Sequence, residues 1–144
     1  MKLQKLISKL EKHHKKKLDL SLGRTFNLLK KLGDPQDKLK NVITVVGTNA
    51  KASMCYSLKS ILNQGGYKTN LYTSPHLLSY TERYVFEDKE INEEDLIELL
   101  TDVEKTLGDD NATLFEILTC AFLKYAENFK DNVNTVSYTH LTLP

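Results

Sequence analysis

The chain has little of several things that would settle its class early. It has no excess of charge. Twenty lysine and arginine residues stand against 19 aspartate and glutamate, a formal +1 over 144 residues. There is therefore no global attraction to nucleic acid or to an anionic membrane, and any affinity for phosphate must be local. It has only two cysteines, Cys55 and Cys120, each within an apolar helical pattern, with no Cys-x-x-Cys and no His-x-x-x-His spacing nearby. They read as buried thiols in a reducing, cytoplasmic compartment. No apolar run approaches the roughly 18 residues of a membrane span, and the lysine-studded start lacks the unbroken apolar core of a secretion signal. There is no internal repeat and no low-complexity linker. What remains is one domain of ordinary size whose 40% hydrophobic content is enough for a core.

What is present has a clear order. Leu3, Leu6, Ile7 and Leu10 recur at helical spacing with Lys2, Lys5, Lys9 and Lys12 on the other face, so residues 2–12 are predicted to form an amphipathic helix. The basic stretch His13-His14-Lys15-Lys16-Lys17 follows, either a solvated surface or an anion site facing a substrate. A second helix, about Leu20 to Leu32, ends at Gly33 before the turn Asp34-Pro35. Val42-Ile43-Thr44-Val45-Val46 is a short β-branched run of the kind buried on both faces of a parallel sheet. Beyond Gly47 the period changes to 3.6, with Cys55, Leu58, Ile61 and Leu62 on one side, until Gly65-Gly66. Tyr67 to Thr73 reads as a second strand completing a β-α-β unit, and Ser74-Pro75-His76 opens a loop at its carboxyl end. Tyr84-Val85-Phe86 and Glu90-Ile91 suggest a small ribbon. Asn92 with Asp95 marks a helix start, continued by Leu96, Leu99, Leu100, Val103 and Leu107. A last helix, about Leu114 to Phe129, precedes a strand at Val133 to Val136.

The loop Gly47-Thr48-Asn49-Ala50-Lys51-Ala52-Ser53 sits where a strand hands over to a helix. Backbone N–H groups and the positive end of the helix dipole converge there on an anion. A lysine adds a point charge able to reach the outer phosphates of a nucleotide, and a hydroxyl beyond it can organise phosphates or Mg²⁺. The standard P-loop succession of glycine, lysine and Ser/Thr is not matched, so an ordinary βα connection with a surface lysine is the alternative on the loop alone.

Four stretches together resemble the Mur ligase superfamily and, within it, the folylpolyglutamate and dihydrofolate synthases. VITVVGTNAKAS at Val42 to Ser53 resembles the superfamily's phosphate loop, usually GTNGK. YTSPHLLSYTER at Tyr72 to Arg83 resembles the segment that marks the folate branch. DLSLGRTFNLLKKLGDP at Asp19 to Pro35 and TLFEILT at Thr113 to Thr119 resemble two further pieces of that branch, in the family's order. The resemblance implies an α/β fold, an incomplete P-loop-type Mur ligase ATP-binding domain with a parallel sheet flanked by helices, occupying residues 1–136.

It also implies roles. Thr48, Asn49, Ala50, Lys51 and Ser53 align with the ATP-phosphate loop, with Lys51 neutralising charge on the transferred phosphoryl group, and Ser74 aligns with a Mg²⁺ ligand. Read without the family, Ser74 is a turn residue before Pro75. Lys12, His13, His14 and Lys15, and Thr113, Leu114, Phe115 and Glu116, align with residues that contact dihydropteroate in bifunctional members. An aromatic ring and a polar edge suit a flat, hydrogen-bonding pterin. Read without the family, Phe115 is a core residue and Glu116 a first-turn acid favoured by the helix dipole. The implied reaction is ATP-dependent amide ligation of L-glutamate to dihydropteroate or folate through an acyl phosphate. Its partners are small molecules, ATP and Mg²⁺, with no nucleic acid or membrane, in a monomeric cytoplasmic parent.

Three departures stand out. Two usual glycines of the loop are Ala50 and Ala52, which strains any position needing positive φ. Ser137 stands where the family carries an acidic Mg²⁺ ligand. The tail Ser137 to Pro144 does not continue the pattern and reads as frameshifted or foreign, so the polypeptide as given is expected not to catalyse ligation. A cell-wall Mur ligase and a non-catalytic nucleotide-binding module are the competing readings.

Overall fold

The computed structural model describes residues 2–12 and 22–137. In chain order the elements are α1 (Lys2–Glu11), α2 (Gly23–Lys31), α3 (Pro35–Lys38), β1 (Asn41–Val45), α4 (Lys51–Gln64), β2 (Thr69–Tyr72), β3 (Tyr84–Phe86), β4 (Lys89–Glu90), α5 (Glu93–Leu107), α6 (Leu114–Ala126) and β5 (Val133–Ser137). They divide into two compact units: one from the stretches up to Lys38 and from Asn92 to Glu127, the other from Leu39 to Ile91 and from Asn128 on.

The first unit is helical. Its core forms where the apolar stripes of α1, α2, α5 and α6 meet. Leu3, Ile7 and Leu10 are buried on α1, as are Leu96, Leu100, Val103 and Leu107 on α5 and Ile117, Leu118, Ala121 and Phe122 on α6. Each large apolar side chain taken fully out of water contributes roughly 1.5–3 kcal/mol, which outweighs the weak intrinsic stability of helices this short. The helix starts are chemically explicit. Asn92 Oδ1 accepts the Asp95 amide at 2.8 Å, three acids fill the first turn of α5, and Gly108, at φ 62°, ends it. The predicted second helix is shorter than its pattern, beginning at Gly23.

The second unit is a five-stranded sheet of order β1-β5-β2-β3-β4. β1, β5 and β2 run parallel, with Thr44 beside Val136 and Val136 beside Tyr72, whereas β3 and β4 are antiparallel. The expected ribbon is thus the sheet's own edge, and the fold is a mixed α/β one with a mostly parallel sheet. Helix α4 packs on β1, β5 and β2. β1 and β2 are not neighbours, because β5 is inserted between them. β2 is buried at every residue. β1, an edge strand with β5 on one side only, departs from the two-sided burial that its composition suggests: Val42 is about half exposed, as is Val46 just past its end.

Buried amides pin the register. Asn70 donates to Asn134 Oδ1 (2.9 Å), and Asn132 donates to Asn70 Oδ1 (3.1 Å) and to Glu87 Oε1 (3.2 Å). Among the described residues no helix is long and apolar enough to cross a membrane. Cys55 and Cys120 are both free and buried.

Candidate functional site

Because β1, β5 and β2 are parallel, their carboxyl ends share one edge of the sheet. Val45 lies beside Ser137, and Tyr72 beside Val136. The loop that follows β1 and carries Lys51 therefore leaves the same edge as Thr73-Ser74 after β2. Only β5 stands between them, so β1 and β2 are about 10 Å apart at strand spacing. This is the edge at which open α/β sheets bind ligands.

The loop itself has a defined shape. Thr48 and Asn49 form an exposed bend, and Lys51 opens α4. Ala50 is its N-cap at φ 57°, ψ 15°, with no side-chain cap and no acid in the first turn. Such a helix start offers its first amides to an anion. Lys51 Nζ donates to the Gly47 carbonyl at 2.7 Å. Ser53 is exposed in the first turn of α4, its carbonyl accepting the Ser57 hydroxyl at 2.9 Å. The strain expected of the two alanines falls on Ala50 alone, since Ala52 is an ordinary helical residue.

At the end of β2, Ser74 is buried, 6% exposed. Ser137, which ends β5 beside Val45, is wholly buried, and its Oγ has no hydrogen-bond partner. The loop beyond is held by Glu82, whose carboxylate accepts the amides of Leu77 (2.8 Å), Leu78 (2.8 Å) and Ser79 (2.7 Å). Those amides, Leu77 and Ser79 foremost, hold the carboxyl below its usual range. Arg83 Nε donates to His76 Nδ1 at 2.9 Å, and His76 lies against the Tyr80 ring. Burial first, and the Arg83 charge second, keep His76 below its ordinary value. Leu77 and Leu78 are left 92% and 94% exposed.

In the helical unit, Thr113 to Glu116 form the start of α6. Thr113 Oγ1 accepts the Glu116 amide at 3.1 Å, and Glu116 Oε2 accepts the Thr113 amide at 2.6 Å, a reciprocal capping box. Arg24, on the first turn of α2, donates from Nε to Oε2 (3.2 Å) and from its terminal nitrogen to Oε1 (3.1 Å) of the same carboxylate. Leu114 and Phe115 are half-buried. One turn along α6, burial foremost and then the Glu116 charge push the Cys120 thiol up to about 12.

No family model matches the chain. Individual relatives do. It is 38% identical over 117 residues to the dihydrofolate synthase/folylpolyglutamate synthase of Escherichia coli K12, a match covering 81% of this chain and 28% of that one. The solved structure of E. coli FolC in complex with DHPP and ADP superposes with a TM-score of 0.87 at 34% identity, over 95% of this chain and 33% of that one. The bifunctional folylpolyglutamate synthase/dihydrofolate synthase of Yersinia pestis, complexed with AMPPNP and a Mn ion, gives 0.87 at 31% identity, over 95% and 33%. The chain belongs with the folylpolyglutamate/dihydrofolate synthases. It spans about a quarter to a third of the length of these relatives.

As a synthase relative, the chain brings Thr48, Asn49, Ala50, Lys51 and Ser53 together in one loop and helix start, with Ser74 at the same sheet edge. Thr113, Leu114, Phe115 and Glu116 form one turn of the helical unit. Lys12 is exposed just past α1, beside a shallow cavity of about 370 Å³ that it lines with Gln4, Lys5, Ser8 and Lys9. His13, His14 and Lys15 lie outside the described residues, as does the tail beyond Ser137. Periodicity and spacing do not single out Arg24, Glu82 or Arg83, which lie within Asp19–Pro35 and Tyr72–Arg83; their contacts with Glu116, with the amides after Ser74 and with His76 do. Among the described residues there is no cluster of three or more metal-ligating His, Cys, Asp or Glu side chains.

Proposed function

We propose that this chain carries, in residues 1–136, the ATP-phosphate loop and the pteroate-contacting turn of a cytoplasmic ligase. The ligase joins L-glutamate to dihydropteroate, to (tetrahydro)folate, or to both. The observation that carries the reading is the shared carboxyl edge of the Lys51 loop and Ser74, in a chain whose relatives are named folylpolyglutamate/dihydrofolate synthases and have structures with ADP or AMPPNP.

In this reading the amides at the start of α4 and the exposed Thr48 and Asn49 seat the ATP phosphates. Lys51 exchanges its bond to Gly47 for one to the outer phosphates. A carboxylate oxygen of the pteroate or folate forms a bond to the γ-phosphorus while the bridge to ADP breaks. The glutamate amine then bonds to the acyl carbon, phosphate leaves, and the nitrogen loses a proton. Positioning and charge neutralisation do the work, and no side-chain nucleophile is needed. The residues fit Mg²⁺ only as an ion carried in on a nucleotide: the Ser74 hydroxyl would be a hard but neutral donor, and Ser137, standing where the family carries an acid, brings an orphaned hydroxyl and no charge, so the phosphates would have to supply it. When bound, the ion screens the phosphate oxygens. Thr113 to Glu116 contact the pterin, with Phe115 offering a ring and the α6 turn a polar edge.

The test is calorimetric titration of the chain with ATP·Mg²⁺ and, separately, with dihydropteroate and with a UDP-linked peptide precursor. Saturable binding of ATP and dihydropteroate but not of the UDP compound supports the ligase of the folate branch. Preference for the UDP compound, or ATP binding that is indifferent to Lys51→Ala, overturns it.

A further inference from the structure

We infer that Arg24 is the positioning residue of the pteroate-contacting turn, acting through Glu116; this rests on the proposed role of Thr113 to Glu116. The two residues are 92 positions apart, yet the guanidinium meets the carboxylate with two nitrogens, 3.2 Å to Oε2 and 3.1 Å to Oε1. That fork-to-fork geometry fixes both the distance and the plane of the acceptor, which a lysine cannot do. The side chains are 19% and 13% exposed. A pair this far withdrawn from water roughly cancels its own desolvation cost, so net stability does not account for it, and fixing a geometry does.

An ionised carboxylate has about four acceptor sites. Arg24 takes two, and the Thr113 amide takes a third at 2.6 Å. Glu116 can therefore present at most one acceptor outward, in a direction set by Arg24. The capping box alone would hold Glu116 to its own helix. The Arg24 fork ties that helix start to α2, and with it the neighbouring Leu114 and Phe115, which are half-buried at the first turn of α6. Arg24 thus decides where the ring and the polar edge stand for a flat heteroaromatic ligand without itself touching that ligand.

The experiment compares wild type, Arg24→Ala, Arg24→Lys and Glu116→Gln for dihydropteroate affinity, ATP·Mg²⁺ affinity and melting temperature, and repeats Arg24→Ala with added guanidinium ion. Expected is a loss of dihydropteroate affinity of tenfold or more in Arg24→Ala, partial recovery in Arg24→Lys, further recovery with guanidinium, and ATP affinity within twofold of wild type throughout. Dihydropteroate affinity unchanged in Arg24→Ala overturns the inference while the ligase reading stands. So does a loss that tracks melting temperature and that neither Lys nor guanidinium restores. Wild type that binds ATP but no dihydropteroate overturns both the inference and the assignment of the 113–116 turn.

Discussion

Lys51 donates its ammonium to the Gly47 carbonyl 2.7 Å away, so the cation lies folded over the loop it closes. The bond is local and exposed, and it occupies the charge that an outer phosphate would take. A hydrogen bond to a charged partner is worth about 1.5–3 kcal/mol. Lys51→Ala should therefore weaken ATP·Mg²⁺ binding roughly 10- to 100-fold while changing folding stability by less than about 0.5 kcal/mol. Calorimetry and a denaturant melt on the same sample check both halves.

The two alanines in this loop should answer oppositely to the same substitution. Ala50 sits at φ 57°, where a Cβ costs roughly 1–2 kcal/mol, so Ala50→Gly should stabilise by up to about 1 kcal/mol once the greater freedom of the unfolded glycine is subtracted. Ala52 is inside α4, where glycine costs about 1 kcal/mol, so Ala52→Gly should destabilise. Urea unfolding midpoints at constant m-value separate the two signs.

The local half of this architecture was legible because it is written in periodicity. The change from the β-branched run at Val42 to the 3.6 spacing after Gly47 located β1, the loop and α4, and Asn92 with Asp95 marked the start of α5. Pairings between distant segments leave no such trace. Nothing near Val133 indicates that β5 enters between β1 and β2. Nothing in the exposed-looking acid of a helix first turn indicates that Glu116 is held by an arginine 92 residues earlier. The β3–β4 ribbon was legible from its two apolar pieces, but its turn falls at Glu87-Asp88, one residue earlier than the Asp88-Lys89 that those pieces flank. Glu87 and Asp88 both adopt positive φ, 47° and 69°, where glycine or asparagine is the readable signal. Their carboxylates pair instead, Asp88 with Lys59 and Asn63, Glu87 with Lys68 and Asn132.

Glu82 should make the loop after Ser74 sensitive to acid. Its carboxyl titrates below the usual range because the amides of Leu77, Ser79 and Leu78 donate to the charged form. A group depressed in the folded state contributes stability that is complete above its unfolded value, about 4.3, and is lost as pH falls through the lower folded value. Amide exchange of Leu77, Leu78 and Ser79 should thus stay slow at pH 6 and accelerate beyond the intrinsic rate change as pH drops below about 4. Glu82→Gln, which keeps one acceptor oxygen of two, should show the faster exchange already at pH 6. Exchange that is the same in both proteins across this range would mean that the carboxylate does not hold the loop.

The buried asparagines of the sheet allow a cleaner dissection. Asn70 and Asn134 face each other across β2 and β5 at 0% exposure, with Asn70 donating to Asn134 Oδ1 at 2.9 Å and Asn132 donating to Asn70 Oδ1 at 3.1 Å. Removing one partner strands the other's polar atoms in the interior, which costs about 1–3 kcal/mol, whereas replacing both removes the demand each makes on the other and leaves Asn132 its bond to Glu87 Oε1. Asn134→Leu and Asn70→Leu should each destabilise by that amount. The double variant should be more stable than the sum of the singles predicts, by 1 kcal/mol or more on the scale typical of contacting pairs, roughly 0.5–3 kcal/mol. The register constraint argues for one further difference. Because a one-residue slip along a strand moves every side chain to the opposite face, the double variant, freed of its amide lock, should regain part of the lost stability yet lose uniqueness, with broadened amide resonances for β2 and β5. Additive single and double effects with sharp resonances would show that the sheet is aligned by its apolar packing alone.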